Sequence, residues 1–145
     1  MSQGVEQLLD WCDDADLTWR ALKGTIYLRL DPDDPSEVRV EQTESVRLHD
    51  EVVLDVGSLP ADRLAEAVED VVLGRSSLVD ARLTGEGTAA EVVVVIHEDG
   101  LSKHTFLEAV FELQKVRLLL HREVRAARAA EQTLAALAAA VGPSA

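Results

Sequence analysis

The densest group of residues that could bind a metal lies between a predicted strand and the last predicted helix. His97, Glu98 and Asp99 are consecutive, and His104 follows shortly after them. Imidazole and carboxylate groups are common zinc ligands, so His97, Asp99 and His104 could form a three-ligand site across the turn. The spacing is not HExxH, because Leu101 stands where the second histidine would be. A small metal-dependent enzyme using His97 and His104 is an alternative hypothesis, whereas our prediction is no metal and no cofactor.

Two acidic segments could also attract cations. The segment 31–37 contains Asp31, Asp33, Asp34 and Glu37, but a proline and a serine occupy the places where an EF-hand has a ligand and a glycine. The second segment, 10–16, contains four aspartates around the end of a predicted helix. We interpret both as solvated acidic segments rather than as metal sites.

The sequence shows neither a reactive nucleophile nor a nucleotide-binding motif. Cys12 is the single cysteine, so it cannot form an intramolecular disulfide, and its aspartate neighbours raise a thiol pKa rather than lower it. The sequence has no GxSxG elbow, no Walker loop and no GxGxxG turn. These patterns predict a protein that is not an enzyme.

Size and charge limit the possible partners. A length of 145 residues predicts one domain. The formal net charge is −13, and with only 3% aromatic residues the core must be built mainly from Val, Leu and Ala. The stretch 103–130 is basic, at a net +3, which leaves −16 for the remainder. Because an acidic surface repels phosphates, we expect no nucleic-acid and no membrane partner. The basic stretch could instead pair with acidic residues of the same molecule or of a dimer partner. No apolar window is long enough to span a membrane and no signal peptide is visible, so we expect a cytoplasmic protein.

Hydrophobic periodicity predicts an α+β fold with an antiparallel twisted sheet of about five strands. Trp11 and Trp19 should pin the first helix to the rest of the fold. The run 38–48 is consistent with one strand, with two, or with a strand and a loop, and 49–51 looks like a turn. Val92–Ile96 should be a central strand with both faces covered. The predicted elements, in the order α-β-β-β-α-β-β-α, are a helix at 3–13, strands at 25–30, 38–48 and 52–56, a helix from Pro60 to Gly74, strands at 78–83 and 91–96, and a helix at 102–140.

The last helix is the most informative feature of the sequence. Ser102 is a suitable N-cap, and Phe106, Val110 and Leu113 begin an apolar face that Phe111 and Leu118 would widen. A helix of this length measures about 58 Å, more than the width of a domain of this size. We therefore predict a domain at 1–122 and an Ala/Arg-rich extension of the C-terminal helix at 123–145, which must overhang, bend back or pack on another molecule.

The order and character of these elements resemble the class I type III secretion chaperones and the related YbjN family. The resemblance runs from about Val5 to His121. It is carried by residues 54–60 (Leu-Asp-Val-Gly-Ser-Leu-Pro) before the middle helix, by the Val92–Ile96 strand, and by residues 101–106 at the start of the last helix. The resemblance implies a bacterial, often homodimeric, non-enzymatic domain that binds extended segments of other proteins along apolar patches.

The sequence therefore predicts a non-catalytic, chaperone-like protein-binding module that forms a homodimer and binds a protein partner. An alternative is an adaptor whose C-terminal amphipathic helix, 122–141, docks on another protein. The residues predicted to form the partner-binding or dimer surface are Val68, Val72, Leu118, Leu119, Val124, Leu134 and Leu137.

Overall fold

A computed structural model of the chain describes residues 3–73, 79–84 and 87–141. Its α-helices are α1 (Gln3–Asp14), α2 (Ala61–Leu73) and α3 (Lys103–Val141). Its strands are β1 (Thr18–Leu22), β2 (Thr25–Arg29), β3 (Val38–Gln42), β4 (Ser45–Val53), β5 (Val79–Thr84) and β6 (Ala89–His97). A short 3-10 helix, Glu98–Gly100, joins β6 to α3. The predicted α+β class is confirmed, with six strands instead of about five.

The six strands form one sheet in the order β1-β2-β3-β4-β6-β5, and every neighbouring pair is antiparallel. Buried and exposed residues alternate along the strands, as in Val46, Leu48 and Val52 of β4, because the three helices pack on one face of the sheet. The core lies between this face and the helices. The largest fully buried side chains of the helical layer are Phe106, Leu113 and Leu120 of α3, Leu8 of α1 and Leu64 of α2.

The additional strand is β1, which the sequence patterns did not separate from the end of α1. Within the described part of the chain it pairs with β2 alone, with Trp19 opposite Leu28. Trp19 also donates a hydrogen bond from Nε1 to Asp13 at 2.7 Å. Trp11 contacts Phe106, with 5.9 Å between ring centroids. Both tryptophans thus fix α1 to the fold as predicted, although Trp19 does so from a strand.

The predicted turn at 49–51 is wrong, because these residues lie in the middle of β4. His49 and Glu51 point to the open face of the sheet, and Asp50 points into the core, where it is fully buried. Three consecutive polar residues are typical of a turn. Here the strand continues because Arg117, 67 residues away in sequence, binds the Asp50 carboxylate. The run 38–48 divides into β3 and the first part of β4.

Strand β6 is internal, between β4 and β5, as its apolar run predicted. The prediction that both of its faces are covered is wrong. Val92, Val94 and Ile96 are buried under the helices, whereas Val93 and Val95 are half-buried on the open face.

The two long helices begin close to the predicted positions. Ser102 caps α3, because its Oγ accepts a hydrogen bond from the backbone N–H of Thr105 at 3.1 Å. Helix α3 continues to Val141. The predicted helix stop at Gly74, the strand start at 78 and the first two residues of the turn at 85–87 lie outside the described residues.

Candidate protein-binding surfaces

A shallow apolar groove lies between α2 and β5. It has a volume of about 260 Å³, and Leu73 is 74% exposed at its end. The predicted surface residues Val68 and Val72 both line it, with Val68 buried to a greater extent than Val72. The complete lining is Ala65, Val68, Glu69, Val72, Leu73, Ala81, Arg82 and Leu83. Leu73, Ala81 and Leu83 were not among the predicted surface residues, because the periodicity of a helix and that of a strand do not show which of their residues pack side by side.

Strand β5 forms one wall of this groove and is also an edge of the sheet. Among the described residues it pairs with β6 alone, so the opposite side of its backbone has no strand partner. Edge strands present backbone N–H and C=O groups that can pair with another chain. Ala81 and Leu83 lie half-buried beside α2, while the alternate residues Asp80 and Arg82 are exposed. The groove therefore combines apolar side chains with an unpaired strand edge.

The outer face of α3 carries two large exposed apolar side chains. Phe111 is 44% exposed and Leu118 is 58% exposed. The prediction that they widen the core-facing side of the helix is wrong, since they point away from the sheet. Of the other predicted surface residues, Leu119 packs half-buried against the core, and Val124 is buried within it.

The last ten residues of α3 extend past the rest of the protein. The last described ion pair between α3 and another element joins Glu131 to Arg63 of α2 at 3.3 Å. Beyond it the helix carries no charged residue, and Leu134, Leu137 and Val141 are exposed on one stripe. Alanine-rich sequence stabilises a helix without tertiary contacts, which accounts for this projecting segment.

The basic residues of α3 divide into two groups. Lys103 pairs with Asp14 at 2.9 Å, Arg128 pairs with Asp55 at 2.6 Å, and Arg117 binds Asp50. These pairs confirm that part of the basic stretch forms ion pairs with acidic residues of the same molecule. Lys115, Arg122 and Arg125 form no ion pair with any other residue that the structure describes.

The acidic segment 31–37 uses its carboxylates in internal contacts. Asp34 Oδ1 accepts hydrogen bonds from the backbone N–H and the hydroxyl of Ser36, at 2.9 and 2.8 Å. These bonds, with a further contribution from Arg117, lower the pKa of Asp34. Glu37 accepts hydrogen bonds from the guanidinium of Arg20, which lower its pKa. Asp34 and Glu37 of this segment therefore stabilise the surrounding structure through hydrogen bonds to other residues of the protein.

The two histidines of the metal hypothesis do not assemble a three-ligand site. His97 is exposed at the end of β6, and His104 lies in the first turn of α3, 3.4 Å from Glu108. Within residues 3–73, 79–84 and 87–141, no three His, Cys, Asp or Glu side chains are grouped so that they could hold a metal ion.

Cys12 faces the core and is fully buried. Burial, with a smaller effect of the Asp13 charge, raises the pKa of its thiol to about 12. The thiol is therefore protonated at neutral pH and is a poor nucleophile.

One antiparallel sheet with helices on one face and a long C-terminal helix define an α+β protein. No protein-family model matches the sequence, and no curated protein matches it significantly. No helix in the described part of the chain is long and apolar enough to cross a membrane.

Several solved structures share the fold. YbjN from E. coli, described as a candidate transcription regulator, covers 88% of this chain and 93% of its own, with 16% identity and a TM-score of 0.55. An uncharacterized protein from Methanothermobacter thermautotrophicus covers 83% and 95%, with 14% identity and a TM-score of 0.61. A chain of the HopA1–SchA chaperone–effector complex covers 80% and 93%, with 14% identity and a TM-score of 0.55. The chain thus has the fold of YbjN and of a chain of the HopA1–SchA chaperone–effector complex, so the predicted resemblance is confirmed at the level of the fold.

Proposed function

We propose that this protein is a non-catalytic, chaperone-like protein-binding module that acts as a homodimer and binds an extended segment of a polypeptide partner. The observation that carries the proposal is the groove between α2 and β5, where the exposed Leu73 and half-buried apolar side chains lie beside a strand edge that has no partner strand among the described residues. An extended segment can add to such an edge through backbone hydrogen bonds while every second side chain enters the groove.

The shape of the groove favours a polypeptide over a small ligand. Its volume of about 260 Å³ is below the range of about 300–1,000 Å³ that is usual for small-molecule sites, and it is open to solvent. Val72 and Leu73 stand on the helix side, and Ala81 and Leu83 on the strand side. These are small to medium apolar side chains, which suit alternating residues of an extended strand.

The chemistry of the other candidate sites supports a binding role. The Cys12 thiol is buried and protonated, and the carboxylates of Asp34 and Glu37 are engaged in hydrogen bonds. A chain of the HopA1–SchA chaperone–effector complex has the same fold, which supports a protein-binding role. The effector of that complex is not proposed as the partner of this protein.

The test compares two exposed leucines. Leu73→Asp places a carboxylate in the groove, and Leu22→Asp places one on β1 at the opposite edge of the sheet. Tagged wild-type protein and both variants are purified gently from the native cells, and native mass spectrometry identifies bound polypeptides. Each polypeptide found is then made separately and titrated against the three proteins.

We expect one partner to bind the wild type and Leu22→Asp equally and to bind Leu73→Asp at least tenfold more weakly. Hydrogen exchange of the complex should show new protection of the β5 backbone amides. Equal binding by all three proteins, or no protection of β5, would contradict the groove as the site.

A second candidate function is supported by the projecting end of α3. Leu134, Leu137 and Val141 form an exposed apolar stripe on an uncharged helix, which could dock into a groove of another protein. Deletion of residues 132–145 tests this adaptor function. If partner binding is lost in the deletion but kept in Leu73→Asp, the helix end and not the groove is the docking element.

A further inference from the structure

The outer face of α3 has a charge order that is complementary to itself. From the N-terminal side, the outward positions read Glu108, Phe111, Lys115, Leu118, Arg122 and Arg125, and all except Phe111 and Leu118 are charged. Their spacing alternates three and four residues, which is the spacing of the seam in a two-stranded coiled coil. The acidic group lies at one end, the two apolar side chains lie near the middle, and the two arginines lie at the other end.

Nothing in the described part of the molecule covers this face. Lys115, Arg122 and Arg125 form no ion pair there, although the chain carries a net charge of −13 and the other basic residues of α3 have acidic partners. Phe111 and Leu118 are exposed beside them. Unpaired cations beside exposed apolar side chains are more typical of an interface than of a solvated helix face.

We infer that two copies of this chain pair through this face, with their α3 helices antiparallel about a two-fold axis beside Lys115 and Leu118. The inference rests on the homodimer of the proposed function and gives that dimer its surface. In this register Glu108 of one copy lies opposite Arg125 of its partner, Phe111 lies opposite Arg122, and Lys115 lies opposite Leu118. Each contact occurs twice, as an isologous interface requires.

Charge selects this arrangement over the alternatives. In a parallel pair, Arg122 and Arg125 would face their own copies and Glu108 would face Glu108, which is repulsive. In the antiparallel pair, each acidic end meets a basic end, the Arg122 guanidinium can lie over the Phe111 ring, and the Lys115 stem covers Leu118. Because the rest of the chain carries an excess of negative charge, the basic half of α3 is also where a second copy can approach with least repulsion.

Charge reversal tests the register. Glu108→Arg places arginine against Arg125 of the partner, and Arg125→Glu places glutamate against Glu108. The double variant Glu108→Arg/Arg125→Glu restores opposite charges with the order exchanged. Sedimentation equilibrium of the full chain without any partner protein gives the dimer dissociation constant of each.

We expect each single reversal to raise the dissociation constant at least tenfold and the double variant to return to within about threefold of the wild type. Glu66→Arg and Lys23→Glu are the controls, since they change the net charge equally at exposed positions outside α3. A monomeric wild type would overturn the inference. So would a dimer that ignores the single reversals or is not restored by the double variant.

A crosslink provides an independent measurement. Cysteines introduced together at 108 and 125 should form two disulfides between copies on oxidation, while either cysteine alone should not crosslink. The native Cys12 does not interfere, because it is buried. Crosslinking by a single introduced cysteine would indicate a parallel pair and would overturn the proposed register. These outcomes are independent of the groove, because the groove test measures partner binding and this one measures self-association.

Discussion

Arg117 in the middle of α3 binds both carboxylate oxygens of Asp50 in β4, from Nε at 3.0 Å and from a terminal guanidinium nitrogen at 2.6 Å. Asp50 is fully buried and Arg117 is 4% exposed. A second carboxylate, that of Asp34, lies 3.4 Å from Arg117. This ion pair joins the long helix to the centre of the sheet, and it sets both the position of α3 along its axis and the face that it presents to β4.

Removal of one member of this pair should strongly destabilise the fold. Arg117→Met leaves the Asp50 carboxylate buried without its partner, and such changes cost about 3–5 kcal/mol. The double variant Arg117→Met/Asp50→Leu should recover most of that loss, because no buried charge remains. Lys103→Met, which removes the exposed pair with Asp14, should cost less than about 1 kcal/mol. Urea unfolding followed by circular dichroism gives all three free energies. A double variant as unstable as Arg117→Met would show that the pair contributes net stability beyond satisfying the buried charge.

Two truncations locate the end of the folded domain. The sequence placed it at 122, but the contacts of Val124, Arg128 and Glu131 lead us to propose that the domain extends to about 131. A chain ending at 131 should unfold at the same urea concentration as the full chain. A chain ending at 122 loses the buried Val124 and the Arg128–Asp55 pair, so it should be less stable by about 2 kcal/mol or more. Equal stability of the two truncated chains would contradict the proposed boundary.

Cys12 should resist thiol reagents in the folded protein. Its thiol is buried and its pKa is raised to about 12, so the thiolate is scarce and inaccessible at pH 8. The rate of reaction with Ellman's reagent should increase by several orders of magnitude on addition of denaturing urea. The unfolded chain is the internal control, because it contains the same cysteine. A fast reaction without denaturant would indicate that α1 opens readily from the core.

The protein should lose stability in acid. Hydrogen bonds from Ser36 lower the pKa of Asp34 below its ordinary 3.8, and those from Arg20 lower the pKa of Glu37 below its ordinary 4.5. The unfolded chain therefore binds protons at a higher pH than the folded chain does. The resulting stabilisation is complete above about pH 5 and is lost as the pH falls through the depressed folded values.

Urea midpoints between pH 3 and pH 7 measure this effect, and Asp34→Asn should flatten the acid limb of the curve. Asp33→Asn removes the same charge from the same segment without the Ser36 and Arg117 contacts, so it should leave the acid limb steeper than Asp34→Asn does. Identical curves for the two variants would show that the hydrogen bonds of Asp34 do not cause the acid sensitivity.

Local patterns determined the class and the order of the fold. Apolar residues at helical spacing in α1 and α2, alternation in β2, and the apolar run of β6 each report the environment of one element, because burial of one face leaves a period in the sequence. Ser102 determined the start of α3 in the same way, through a hydrogen bond to its own first turn. The sequence also lacks the GxSxG, Walker and GxGxxG motifs, and this absence led to the hypothesis of a binding protein.

The tertiary structure decided what depends on residues far apart in the chain. The local sequence around Asp50 predicted a turn. Asp50 lies in a core strand because Arg117, which is 67 residues away in sequence, binds its carboxylate. The groove exists because Leu73 and Ala81 belong to neighbouring elements that pack side by side. The sequence predicted Phe111 and Leu118 as core residues, but the way α3 packs on the sheet leaves both side chains exposed. Periodicity gives the faces of a helix, but the direction in which each face points is set by the packing of the whole chain.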